Sequence, residues 1–185
     1  MTDFSKMPCI SSFEQSIKQW PLMYKDLNDG GDTASWAKLG LRVFAPALVE
    51  NMFFAPQDEV TFSFPAFIDD NPVVRSQAGY RVKWNGKARQ GMLVFTGDCV
   101  TYIHEDHFSM DTNMQAGRIA LPDVRELNPI TFGFSLISMT SAGPGHEILL
   151  SGDDGPGRIL FRTALNPREG EASHTRLLRQ HLHLV

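Results

Sequence analysis

The apolar residues of this chain change their spacing near Ala55-Pro56 and change back near Glu171, and these two switches limit what it can fold into. Before the first switch the spacing is helical. Phe13, Ile17, Trp20, Tyr24 and Leu27 follow at steps of four, three, four and three. Ser11 or Ser12 can cap this helix, and Glu14 suits the positive end of its dipole. Pro21 predicts a kink or break near Gln19, because proline removes a donor and crowds the turn before it. Asn28-Asp-Gly-Gly31 ends the segment. A second helix restarts at Asp32 or Thr33, with Trp36, Leu39, Val43, Phe44, Ala47 and Leu48 as its apolar stripe. Pro46 predicts an early end to the regular part of that helix.

After Pro56 the period is two. Residues 59–68 put Val60, Phe62, Phe64 and Ala66 on one face, and Pro65 predicts an edge strand or a bend. Residues 69–72 read as a turn. Residues 79–84 alternate again, and Asn85-Gly86 is the strongest short hairpin signal in the chain, with a return strand over 87–96. Further strands are predicted over 99–103, 117–121, 130–139, 147–151 and 158–162, with turn-rich loops over 141–145 and 152–157. From Glu171 the helical period returns with His174, Leu177, Leu178, His181, Leu182 and Val185.

Consecutive strands joined by turns favour an antiparallel meander, since a parallel sheet needs helical crossovers. The fold class is therefore α+β: a curled antiparallel sheet or partly open barrel of seven to eight strands, capped by a C-terminal helix near 171–183, with two N-terminal accessory helices. The division is an N-terminal helical appendage over 1–53 and a β domain over 54–185. The expected interior is Phe62, Phe64, Leu93, Phe95, Val100, Ile119, Leu121, Phe132, Phe134, Leu149, Ile159, Phe161, Leu178 and Leu182. The two helices are expected to pack outside the sheet through Trp20, Trp36 and Phe44.

Three stretches carry a resemblance: residues 54–64, with their acidic lead-in to a strand; residues 90–103, with glycine, apolar strand, threonine and turn; and residues 117–125, with a strand and an apolar-acidic-apolar turn. Together with the last helix they resemble the pleckstrin-homology-like superfold, in its GRAM-type and bacterial forms, over about residues 54–185. The resemblance implies a binding or scaffolding module for lipid head groups or protein segments, and it implies no reaction.

With 17 Lys and Arg against 21 Asp and Glu, the net charge is −4, so general nucleic-acid binding is not expected. The densest positive stretch is Arg75, Arg81, Lys83, Lys87 and Arg89, with Trp84 beside it. If the Asn85-Gly86 hairpin forms, Arg81 and Lys83 share a face that Lys87 or Arg89 can join, and such a group can hold phosphate oxygens. The competing reading is a solvated hairpin face. A rival class is a small ligand-binding protein or metal-dependent enzyme using the sheet's interior, with His104, Asp106, His107 and His146 as its polar groups. His104-Glu-Asp-His107 is expected to be a loop without regular metal-ligand spacing, so no metal and no cofactor are expected. There is no nucleophile elbow or phosphate loop. Cys9 and Cys99 read as free thiols in a reducing cytoplasm, and the N-terminus does not read as a secretory signal. No transmembrane segment is expected. The expected partners are a protein segment or an anionic lipid surface, with self-association as a variant of the first.

Overall fold

Prolines decide how the N-terminal helices are cut. The computed structural model describes residues 6–50, 53–69, 81–82, 89–105, 114–132, 143–151 and 157–185. Helix α1 (Pro8–Lys18) begins on a proline in its first turn, so it starts three residues before the expected serine cap. The break falls at Gln19, as Pro21 requires, and α2 (Trp20–Met23) carries that proline in its own first turn. After α3 (Gly31–Leu39), residues Gly40–Phe44 form a π turn in which the Ala45 N–H reaches back to the Gly40 carbonyl. That longer loop lets Pro46 fall in the first turn of a new helix, α4 (Ala45–Glu50), instead of the interior of an old one.

The strands are β1 (Phe62–Asp69), β2 (Arg81–Val82), β3 (Arg89–Phe95), β4 (Cys99–Glu105), β5 (Met114–Ala120), β6 (Val124–Phe132), β7 (Gly143–Leu150) and β8 (Arg158–Thr163). Seven of them form one antiparallel sheet in the order β6-β7-β8-β1-β3-β4-β5. Helix α5 (Glu171–His181) follows. The two-residue β2 lies parallel to β6 at Thr131 and Phe132.

Pro65 was expected at an edge strand or a bend, and β1 is not an edge but the central strand. The ladder with β8 runs only over Ala66–Asp69, so the missing donor of Pro65 falls at its end. There the Pro65 carbonyl still accepts from the Ala164 N–H. The expected hairpin about Asn85-Gly86 is not the pairing seen. Both edges of β3 are taken, by β1 and β4, and β2 pairs at the opposite end of the sheet. Seven β1–β3 pairs, with Phe62 against Phe95 and Phe64 against Leu93, outweigh a local turn preference. Residues 121–123, expected at the end of a strand and the start of a turn, form a 3-10 turn, and β6 starts at Val124.

Strand β1 is buried on both sides. On one face, Ser63 shares a 2.6 Å hydrogen bond with Ser16 of α1, and Trp20 Nε1 donates to the Ser63 carbonyl at 2.8 Å. On the other face Phe62 stacks on His181, and Phe64 meets His174, both of α5. Of the expected interior, Phe62, Phe64, Leu93, Phe95, Val100, Ile119, Leu121, Phe132, Ile159, Phe161, Leu178 and Leu182 are buried. Leu149 is only half-buried, and Phe134 lies outside the described residues. Trp20 and Phe44 are fully buried, while Trp36 is half-buried against Trp20. Phe13, Ile17 and Trp20 belong to the same continuous apolar cluster as the strand residues. Cys9 and Cys99 are buried and unbridged.

Gly91 of β3 faces His104 of β4 across the ladder. A Cβ at Gly91 would overlap the Ile103 carbonyl oxygen and lie 2.8 Å from the His104 Cα, both backbone atoms that no rotamer can move. Gly91→Ala is therefore expected to lower stability by about 3 kcal/mol or more. Gly97→Ala, at a site with no atom within 4 Å, should change it by roughly 0.5 kcal/mol or less. Denaturant melts of the two variants check this, and equal midpoints would refute the close approach.

Candidate functional site

The basic stretch falls largely outside the described residues: Arg75, Lys83, Trp84 and Lys87 all lie there. The backbone of Arg81 pairs with Thr131 of β6, and that of Arg89 with Ile68 of β1. Four strands separate β2 from β3 in the sheet order, so Arg81 and Arg89 are not cross-strand partners.

The histidines are rearranged too. His104 is not in a loop but in β4, fully buried and stacked on Tyr102. Asp106 and His107 lie outside the described residues. His146 of β7 instead approaches His174 of α5, with ring centres 6.3 Å apart. The His174 ring shares a 3.0 Å hydrogen bond through Nε2 with the Tyr24 hydroxyl, and His146 Nε2 shares one of 2.8 Å with Thr175 Oγ1. His174 Nδ1 is buried with no protein partner among the described residues. Burial lowers both imidazoles to about 4, and His174 adds to the effect on His146. At the edge of this cluster burial raises the Glu171 carboxyl, and Arg162 opposes that shift.

The sequence had put Tyr24 and His174 on apolar stripes, and both are indeed buried. No local pattern said that they would meet. They meet because the Tyr24 backbone bridges to Pro167, the Lys25 N–H donates to the Asn166 carbonyl and the Arg168 N–H donates to that of Met23. Beside this junction Leu22, Met23, Pro167, His174 and Leu177 line an open cleft of about 360 Å³. Among the described residues no three His, Cys, Asp or Glu side chains are grouped to hold a metal ion. Phe62, Phe64, Phe95, Phe161, Leu178 and Leu182 fill the interior of the sheet.

The second notable feature is the edge of β5. The Leu121 N–H donates to the Asp98 carbonyl, in the same register as the β4–β5 ladder. Antiparallel bonding alternates, so Ile119 and Gly117 also bond toward β4. The N–H and C=O groups of Ala116, Arg118 and Ala120 therefore point away from the sheet. Among the described residues β5 has a ladder partner on one side only. Tyr102 faces Gly117 across the ladder, and its phenolic oxygen is the atom nearest to any Cβ placed there. Arg118 is held by Asp58 at 3.5 Å and Asp98 at 3.9 Å.

These features define an α+β domain whose curled antiparallel sheet is capped by a terminal helix and, among the described residues, has β5 as an outer strand. No family model and no curated protein matches the chain. Among solved structures it is similar to the hSac2 domain of the human phosphoinositide phosphatase Sac2, at 12% identity and a TM-score of 0.45, over 76% of this chain and 79% of that one. It is also similar to the C-terminal domain of an unknown protein from Leishmania infantum, at 13% identity and a TM-score of 0.38, over 76% of this chain and 96% of that one. No described helix is long and apolar enough to cross a membrane.

The buried pair gives a pH signature. Both histidines titrate near 6.5 when unfolded and near 4 when folded, so between those values the unfolded chain binds more protons. Their neutral, buried state costs nothing above pH 6.5 and is increasingly penalised as the pH falls towards 4, by up to about 3 kcal/mol for each. Thermal melts from neutral pH down to about 4 should fall steeply for the wild type and less steeply for the double variant His146→Gln, His174→Gln. Parallel curves for the two proteins would show that the pair does not set the acid limb.

Proposed function

We propose that the protein is a non-enzymatic binding module of pleckstrin-homology-like architecture that takes up an extended protein segment along the outward edge of β5. One observation carries the reading: the outward N–H and C=O groups of Ala116, Arg118 and Ala120 form a ladder edge that no described strand takes up. An incoming strand gains main-chain hydrogen bonds there without entering the core. The filled interior supports the same reading against the rival one, because a pocket-based ligand would have to displace buried phenylalanines. His146 and His104 stand on different strands, β7 and β4, and His146 takes its hydrogen-bond partner, Thr175, from α5.

The test is panning of a random peptide library on the wild type and on Ala116→Pro. Proline at 116 removes an outward donor and leaves the bonds to β4 in place. Peptides selected on the wild type should bind the variant about tenfold more weakly or worse. Equal binding would reject the edge. Vesicles containing anionic lipid are the second arm, because Arg75, Arg81, Lys83, Trp84, Lys87 and Arg89 remain the densest basic stretch. If vesicles bind and peptides do not, and binding falls with salt and in the double variant Lys83→Glu, Lys87→Glu, a head-group site replaces the peptide site.

A further inference from the structure

We infer that the strand added to β5 is the β5 of a second copy of this chain, paired antiparallel about Gly117, so that two protomers share one continuous sheet. This rests on the edge reading above and names its occupant. Three properties of the strand point to self-pairing.

The first is register. With a two-fold axis at Gly117, all of Met114–Ala120 overlaps: Gly117 faces its own copy, Ala116 faces Arg118, and Met114 faces Ala120. Every outward N–H and C=O on one strand then meets an outward group on the other. A register centred on Arg118 would oppose two guanidinium groups. One centred on Ala116 would overlap only residues 114–118 of the described strand.

The second is shape. The Tyr102 phenol lies over Gly117, so an added strand is accommodated best where it too lacks a side chain. The strand β5 supplies a glycine at that point when it faces itself. Residues facing each other at such a non-hydrogen-bonded position are about 4.5 Å apart at Cα. The two Tyr102 rings, one from each copy, then converge on the same face above the glycine pair.

The third is the lack of protection. Exposed edges are usually blunted by proline, lysine or several charges. The strand MQAGRIA has no proline, and its one charge, Arg118, is held by Asp58 and Asp98 of its own chain. Opposite it stands an alanine, so no like charge resists pairing.

Sedimentation equilibrium over a range of concentrations should give twice the chain mass of 20.7 kDa for the wild type and the chain mass for Ala116→Pro, with unchanged circular dichroism. A register test uses single cysteines. Ala116→Cys mixed with Arg118→Cys should give a disulfide-linked dimer, and neither should do so alone, because hydrogen-bonded partners lie about 5.5 Å apart at Cα, within disulfide reach. The native Cys9 and Cys99 are buried and do not compete. A monomeric wild type overturns the inference, as does a dimer that Ala116→Pro leaves intact. A monomeric wild type whose selected peptides are still lost in Ala116→Pro ends the self-pairing and leaves the edge reading standing. If Ala116→Pro changes neither mass nor peptide binding, both fall.

Discussion

A strand buried on both faces tolerates no slip in register, and this fold is built around one. β1 turns Phe62 and Phe64 toward α5 and Ser63 toward α1. A shift of one residue would push Ser63 into the aromatic interior and a phenylalanine against the Ser16 hydroxyl. The bond between the two serines and the indole bond to the Ser63 carbonyl are therefore more than local satisfaction of buried groups. They fix which face of β1 is which, and the ladders to β3 and β8 inherit that choice. The helices before the sheet and the helix after it both read their positions from this strand.

The sequence made the classes of element legible and hid most of the pairing. Period-two runs identified strands well because alternate residues feel opposite environments. Pro21 announced the break at Gln19, and Pro46 announced trouble that the π turn resolves. Pairing over long separations leaves no such local mark. Asn85-Gly86 is a strong turn signal, yet β3 takes β1 as its neighbour, because aromatic pairs across the ladder outweigh a turn. Pro65 misled for a related reason. A missing donor matters only where a neighbour would have used it, and the β8 ladder stops at that point.

The candidate sites divide along the same line. A histidine on an apolar stripe can be foreseen as buried, and His174 is. Its approach to His146 and Tyr24 depends on residues 23–25 and 166–168 coming together, which no local pattern encodes. The edge of β5 is similarly invisible. Residues 117–121 read as an ordinary short strand, and only the sheet order shows that nothing described follows the β5 they belong to. The direction of its outward N–H groups then comes from a single bond, Leu121 to Asp98, at the end of the ladder. The inward and outward sides of that strand differ chemically only because of parity counted from there.

The junction of residues 23–25 with 166–168 also bears on how the chain is made. During synthesis α1 and α2 emerge first, and β1 follows with one face that α1 and the Trp20 indole of α2 cover. Its other face waits for α5, more than a hundred residues later, and so does the Tyr24 hydroxyl. Until then Phe62 and Phe64 remain wet, and no shorter nascent chain can complete the core. Such a domain commits to its native state late and nearly all at once. In the interval it presents an aromatic strand to whatever chaperone or neighbour is near.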